Sequence, residues 1–145
     1  MNFSVNFFNE DVAHRIRNKR LIKDWIRKSV LKENKLPGQI NIILCSDEYL
    51  LKLNKDFLRH DTLTDIITFD NSENGIVSGD LYISYERVME NSAVYSKSKK
   101  DELHRVIIHG ILHLCGYSDK TDESIKRMRE AEDLHLSWRP DELKQ

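Results

Sequence analysis

Apolar positions along the chain fall into four short runs of strand character and five longer stretches with helical spacing. Ser4 to Phe8 (SVNFF) reads as a first strand. Ile22, Trp25, Ile26 and Val30 recur at helical intervals and predict a helix capped by Asn18 and running to about Glu33. Leu36-Pro37-Gly38 breaks the chain, and Gln39 to Cys45 (QINIILC) reads as a buried strand. Ser46 can cap the next helix, with Asp47 and Glu48 near its positive end and Leu50, Leu51, Leu53 and Phe57 along it. Asp65 to Asp70 (DIITFD) and Asp80 to Ser84 (DLYIS), separated by the polar turn Asn71 to Gly75, predict a hairpin. Helices follow over Glu86 to Ser96, Lys99 to Cys115, and from a Thr121 cap to about Leu136. The second of these, Lys99 to Cys115, carries Leu103, Val106, Ile107, Ile108, Ile111, Leu112 and Leu114, so it is expected at the centre of the domain. The tail from Ser137, with Pro140, is expected to fray. The sum is an α+β fold: about four strands in a mixed sheet packed against that central helix, with about five helices in all.

A chain of 145 residues suits one domain, residues 1–145, with a real core. No apolar run resembles a signal peptide or reaches transmembrane length. Cys45 and Cys115 lie in no CxxC pair, which fits a reducing cytoplasm and two small buried thiols. A net charge of −1 excludes a bulk polycation. The charge is nonetheless uneven, since nine basic residues fall between Arg15 and Lys35 against only Asp24 and Glu33. This stripe, with Lys23, Arg27 and Lys28 at its middle, is either a solvated helix face or a contact for a phosphate backbone.

The run HGILHLCGYSDK changes the picture most. His109 and His113 are four apart, which puts both imidazoles on one helix face within reach of one metal ion. Gly116 fits the left-handed position that ends a helix. The turn Gly116-Tyr117-Ser118 then returns Asp119 toward the histidines. Three protein ligands plus an open position is the layout of a catalytic zinc site, whereas structural zinc takes four protein ligands. The plain alternative is two core or surface histidines on an apolar helix. Cys115, two residues past His113, turns to another face and is left off the metal. A metal so held can lower the pKa of bound water from ~15.7 to about 7, so the metal-bound water is the expected nucleophile of a hydrolysis. Gly110 stands where metallopeptidases of the HExxH class carry their glutamate base, which argues against peptidase chemistry. It more simply permits close helix–sheet approach. The general base stays unassigned. Asp65, Asp80 and Glu86 are candidates through neighbouring motifs, with a capping or anchoring role as the alternative for each.

His109 to Tyr117 resembles the HGxLHLxGY signature of the YbeY family, bacterial metal-dependent endoribonucleases of rRNA maturation. Leu53-Asn54, Asp61 and Thr64 to Phe69 resemble that family's LN and D.pTDVLSF stretches, and Ser78 to Ser84 its GDI.IS strand. Met128 and Glu132 fit the helix after the metal loop, so the match spans about residues 39 to 135. The resemblance implies a single-strand-specific endoribonuclease acting in 16S rRNA 3′-end maturation and ribosome quality control. It implies one divalent metal, Zn2+ above others, held by His109, His113 and Asp119. It implies single-stranded RNA and the small ribosomal subunit or its assembly factors as partners, with no role for DNA or membrane. Asp119 stands where the family usually has His, which keeps a sound zinc set but widens the choice of metal. Leu58 occupies the place of a family arginine and Arg59 follows it, so Arg59 is the candidate phosphate contact. Leu63 replaces a common proline. Two rival readings remain: a metal-dependent hydrolase of another substrate, and a non-catalytic assembly factor whose metal fixes the loop at Gly116.

Overall fold

A computed structural model describes residues 3–58 and 64–145. The elements run β1 (Ser4–Asn9), α1 (Lys19–Lys32), β2 (Leu36–Cys45), α2 (Asp47–Leu53), a π-helical turn (Asn54–Leu58), β3 (Ile66–Asp70), β4 (Ile76–Ser84), α3 (Tyr85–Val94), α4 (Lys99–Leu114), α5 (Asp122–Ser137) and α6 (Asp141–Lys144). One mixed sheet has the order β1-β2-β4-β3. The first three strands in that order are parallel, and β3 returns antiparallel to β4. The β3–β4 turn is made by Asn74 and Gly75, both at positive φ (53° and 78°). Two positive-φ residues in succession match the twist of a hairpin, which is why an Asn-Gly pair serves there.

Strand alternation divides the apolar side chains between two faces. Ile40, Ile42 and Leu44 of β2 and Val77, Leu81 and Ile83 of β4 join the main core with α1, α4 and α5. Cys45, Leu50 and Ile67, with Tyr49, Phe69 and Tyr82 beside them, form a smaller cluster under α2 on the other face. Ile107, Ile108 and Ile111 of α4 are fully buried, each burial being worth about 1.5–3 kcal/mol. Gly110 lets α4 approach the sheet: a Cβ there would lie 2.8 Å from Ile66 Cδ1 and 2.9 Å from Leu81 Cδ2.

Four local expectations need correction. β2 begins at Leu36, three residues before the expected Gln39, because Pro37 and Gly38 extend beyond the β1 pairing, whose register starts at Ser4 opposite Gln39. A proline is tolerated where one side of a strand is an open edge. β4 likewise begins at Ile76 and not at Asp80. Asn18 precedes α1, but in the left-handed conformation (φ 59°) and without a side-chain cap. The tail does not fray: Pro140 leads into α6, and Leu143 is wholly buried. Arg139 is held by Asp101 at 2.9 Å and His104 at 2.8 Å. Ser46 and Thr121 cap α2 and α5 through their side chains as expected, and Ser84 caps α3 in the same way.

Candidate metal centre

Between Asp101 and Leu114 only Asp101, Arg105, His109 and His113 of α4 are half-buried, and every other residue is buried. These four lie at successive four-residue steps, so they form one stripe along the helix. Arg105 pairs with Glu132 and Asp133 of α5 at 2.8 and 2.6 Å. His109 and His113 lie at the open end of the stripe, where the helix stops.

That stop positions the third group. The backbone N–H groups of Gly116 and Tyr117 donate to the carbonyls of His113 and Leu112, each at 3.0 Å. Gly116 takes φ 107°, which sheds the steric cost a side chain would bring. Asp119 is thereby carried back to the two imidazoles. His113 Nε2 lies 3.0 Å from His109 Nε2 and 3.1 Å from Asp119 Oδ2, and His109 Nε2 lies 3.6 Å from the same oxygen.

The hydrogen bonds set the tautomers. His109 Nδ1 faces Glu132 Oε2 at 2.6 Å, and His113 Nδ1 faces the Tyr117 carbonyl at 3.0 Å. Both partners only accept, so both Nδ1 atoms carry the proton and both Nε2 lone pairs point inward. Two lone pairs and a carboxylate oxygen this close repel one another unless a proton or a metal cation lies between them. Ligands about 2.0–2.1 Å from a tetrahedral ion stand about 3.3 Å apart, and the three observed separations bracket that spacing. His109, His113 and Asp119 could therefore hold one metal ion, and they are the one such group among the described residues.

The charges around the group support a cation. Glu132 is 2% exposed; burial opposes its ionisation, but hydrogen bonds from His109 and Arg105 outweigh this and hold its carboxyl below the usual range. Burial also opposes charge on His109, yet Glu132, Asp65 and Asp119 prevail and raise its pKa. Burial pushes the Asp65 carboxyl up, only partly offset by the nearby His109.

Of the three candidate bases, Asp65 alone lies in charge contact with His109. Asp80 accepts a 2.9 Å hydrogen bond from Asn41 within the sheet. Glu86 accepts one of 2.9 Å from the Asp47 backbone at the start of α2. Lys23 is half-buried, and Arg27 and Lys28 are exposed, on α1. Arg59, with Asp61 and Leu63, lies outside the described residues. Cys45 is buried as expected, whereas Cys115 is only half-buried and belongs to no ligand group. Burial pushes the Cys115 thiol up to about 12.

Two partners of the histidines escaped sequence reasoning as partners. One is the Tyr117 carbonyl, which no side-chain pattern reveals. The other is Glu132. Its signal is present in the sequence, since it lies on the α5 face that buries Met128, Ala131, His135 and Leu136. A carboxylate on an otherwise buried face calls for a partner.

Comparison with known proteins relates the chain to one family. A family model described as Endoribonuclease YbeY matches residues 5–138. A protein of Cytophaga hutchinsonii named Endoribonuclease YbeY is 48% identical over 137 residues, which is 94% of this chain and 96% of that one. One of the same name from Flavobacterium psychrophilum is 47% identical over 129 residues, 89% of this chain and 92% of the other. A solution structure of a Thermotoga maritima protein superposes with a TM-score of 0.64 at 28% identity, covering 98% of this chain and 96% of that one.

Proposed function

This chain belongs to the endoribonuclease YbeY family, and from that premise we propose that it hydrolyses phosphodiester bonds of single-stranded RNA with one divalent metal, zinc by preference. The observation that carries the reading is the meeting of His109 Nε2, His113 Nε2 and Asp119 Oδ2 within 3.0–3.6 Å, with both Nδ1 atoms engaged elsewhere. A zinc ion there supplies Lewis acidity toward a phosphoryl oxygen and acidifies water.

The chain's own residues do the remaining work. Glu132 and the Tyr117 carbonyl fix the imidazole tautomers, so the donor atoms are ready before substrate arrives. Asp65, a carboxyl whose burial favours its protonated form and whose charge interacts with His109, is assigned to proton exchange in the reaction. Arg59 is assigned to the phosphate, as a bidentate cation. Lys23, Arg27 and Lys28 are assigned to the RNA backbone, where each neutralised phosphate releases counterions. In the cell the reading places this activity in the cytoplasm, on the 3′ end of 16S rRNA and in ribosome quality control, with the small subunit or its assembly factors as partners. Zinc-dependent cleavage of a single-stranded RNA, absent on a duplex of the same sequence and lost in His113→Ala, tests it.

A further inference from the structure

The loop that carries Asp119 is tied to the rest of the molecule through a side chain far away in sequence. Tyr117 Oη donates to Glu33 Oε1 at 3.0 Å. The other oxygen of the same carboxylate, Oε2, accepts from His135 Nε2 at 2.7 Å. Glu33 directly follows α1, Tyr117 lies in the metal loop, and His135 lies in α5. One carboxylate therefore joins three parts of the molecule that the sequence separates by 84 and 102 residues.

His135 bears a cost for this arrangement. It is wholly buried, and its Nδ1 has no hydrogen-bond partner. With Nε2 donating to Glu33, Nδ1 is a buried lone pair left unsatisfied, at a cost of about 1–3 kcal/mol. An apolar residue there would avoid that cost, so packing alone does not account for a histidine. The donor it offers to Glu33 does.

The backbone of Tyr117 explains what is being held. Its carbonyl is the acceptor for His113 Nδ1, and Asp119 follows two residues later. Asp119 itself is exposed, with 44% of its side chain open. Beyond the turn at Gly116, Ser118 accepts from the Lys120 backbone at 3.3 Å, its one hydrogen bond among the described residues. The Tyr117 hydroxyl thus tethers this segment to Glu33 at the end of α1. A shift of Tyr117 would move the His113 acceptor and the Asp119 carboxylate together.

We propose that Glu33 and Tyr117 are positioning residues for the metal centre: the Glu33 carboxylate, braced by His135, sets the loop that orients His113 and presents Asp119. This rests on the metal reading above. Cobalt(II) is a suitable probe, because its visible absorption reports ligand geometry whether or not RNA is cleaved. Titrations with cobalt(II) would compare the unaltered protein with Tyr117→Phe, Glu33→Ala and Glu33→Gln, each checked for thermal unfolding. Tyr117→Phe keeps the ring and removes only the hydroxyl. It leaves the carbonyl partner of His113 present but untethered, so it is expected to weaken cobalt affinity by about 10-fold, the low end of the effect of losing an outer partner itself, and to alter the visible spectrum. Glu33→Ala should do at least as much. Glu33→Gln retains an acceptor for the Tyr117 hydroxyl and should restore part of the loss. Spectra and affinities in Tyr117→Phe and Glu33→Ala equal to those of the unaltered protein would overturn the positioning role alone. Lowered melting temperatures with an unchanged cobalt spectrum would also overturn it, as that is what a purely structural tether gives. Failure of the unaltered protein to bind cobalt would overturn this proposal together with the metal reading.

Discussion

His109 and Glu132, on adjacent helices, share a 2.6 Å hydrogen bond from Nδ1 to a carboxylate that is 2% exposed. The same carboxylate receives Arg105 through its other oxygen at 2.8 Å. Glu132 therefore ties the tautomer of a metal-facing imidazole to the packing of α4 on α5.

Glu132→Gln puts an amide donor against one of these two donors. Metal affinity should fall about 10–100-fold. Stability should fall by about 1–3 kcal/mol, since a buried donor loses its acceptor. Metal titration and denaturant unfolding of the metal-free protein measure the two effects separately.

His104 predicts a pH dependence that does not involve the metal. It is 3% exposed, and its Nδ1 accepts a 2.8 Å hydrogen bond from Arg139. Trp25 packs beside the ring. Burial, with the charges of Arg139 and Lys100 and against that of Asp101, lowers its pKa from 6.5 to about 4. The unfolded chain thus binds more protons between these values. Stability is full above about pH 6.5 and is lost as pH falls toward 4. The loss through His104 is about 2 kcal/mol between pH 7 and 5. His104→Gln keeps an acceptor and cannot titrate, so its denaturant midpoint should fall less over that interval. Equal slopes for both proteins would refute this assignment.

Much of this was legible in the sequence, and the gaps have local causes. The i,i+4 histidines, the glycine turn and the returning Asp119 were readable because each step rests on backbone geometry within a few residues. The central burial of α4 followed from its apolar run. Pro37 misled because a strand edge tolerates what a strand centre does not, and which edge is open depends on β1. The tail misled because a four-residue helix is too short to show periodicity. Its anchors, Leu143 in the core and Arg139 on Asp101 and His104, are tertiary. Glu33, Tyr117 and His135 meet only in three dimensions.

The basic stripe on α1 gives a salt-dependent prediction. Reversal of Lys23, Arg27 and Lys28 to Glu should weaken single-stranded RNA binding and flatten its dependence on salt, without loss of fold. Affinity and salt slope unchanged in that triple variant would leave the stripe a solvated face.

Arg59 separates catalysis from stability. Arg59→Ala should lower RNA cleavage about 10²-fold or more, with metal content intact and little change in unfolding. Arg59→Lys should recover part of the rate, since a lysine cannot make a bidentate contact. Near-normal cleavage by Arg59→Ala would remove it from the reaction.

The most direct measurement is metal content and RNA cleavage in the same preparations of the unaltered protein, Asp119→His, and the His109→Ala/His113→Ala double variant. The account predicts one zinc per chain and cleavage of single-stranded RNA in the unaltered protein, with activity removed by a chelator and restored by zinc. Asp119→His should keep its metal, because imidazole is an equally good zinc ligand. The folded double variant should hold no zinc and cleave nothing. Unchanged zinc content and unchanged cleavage in the double variant would contradict the account.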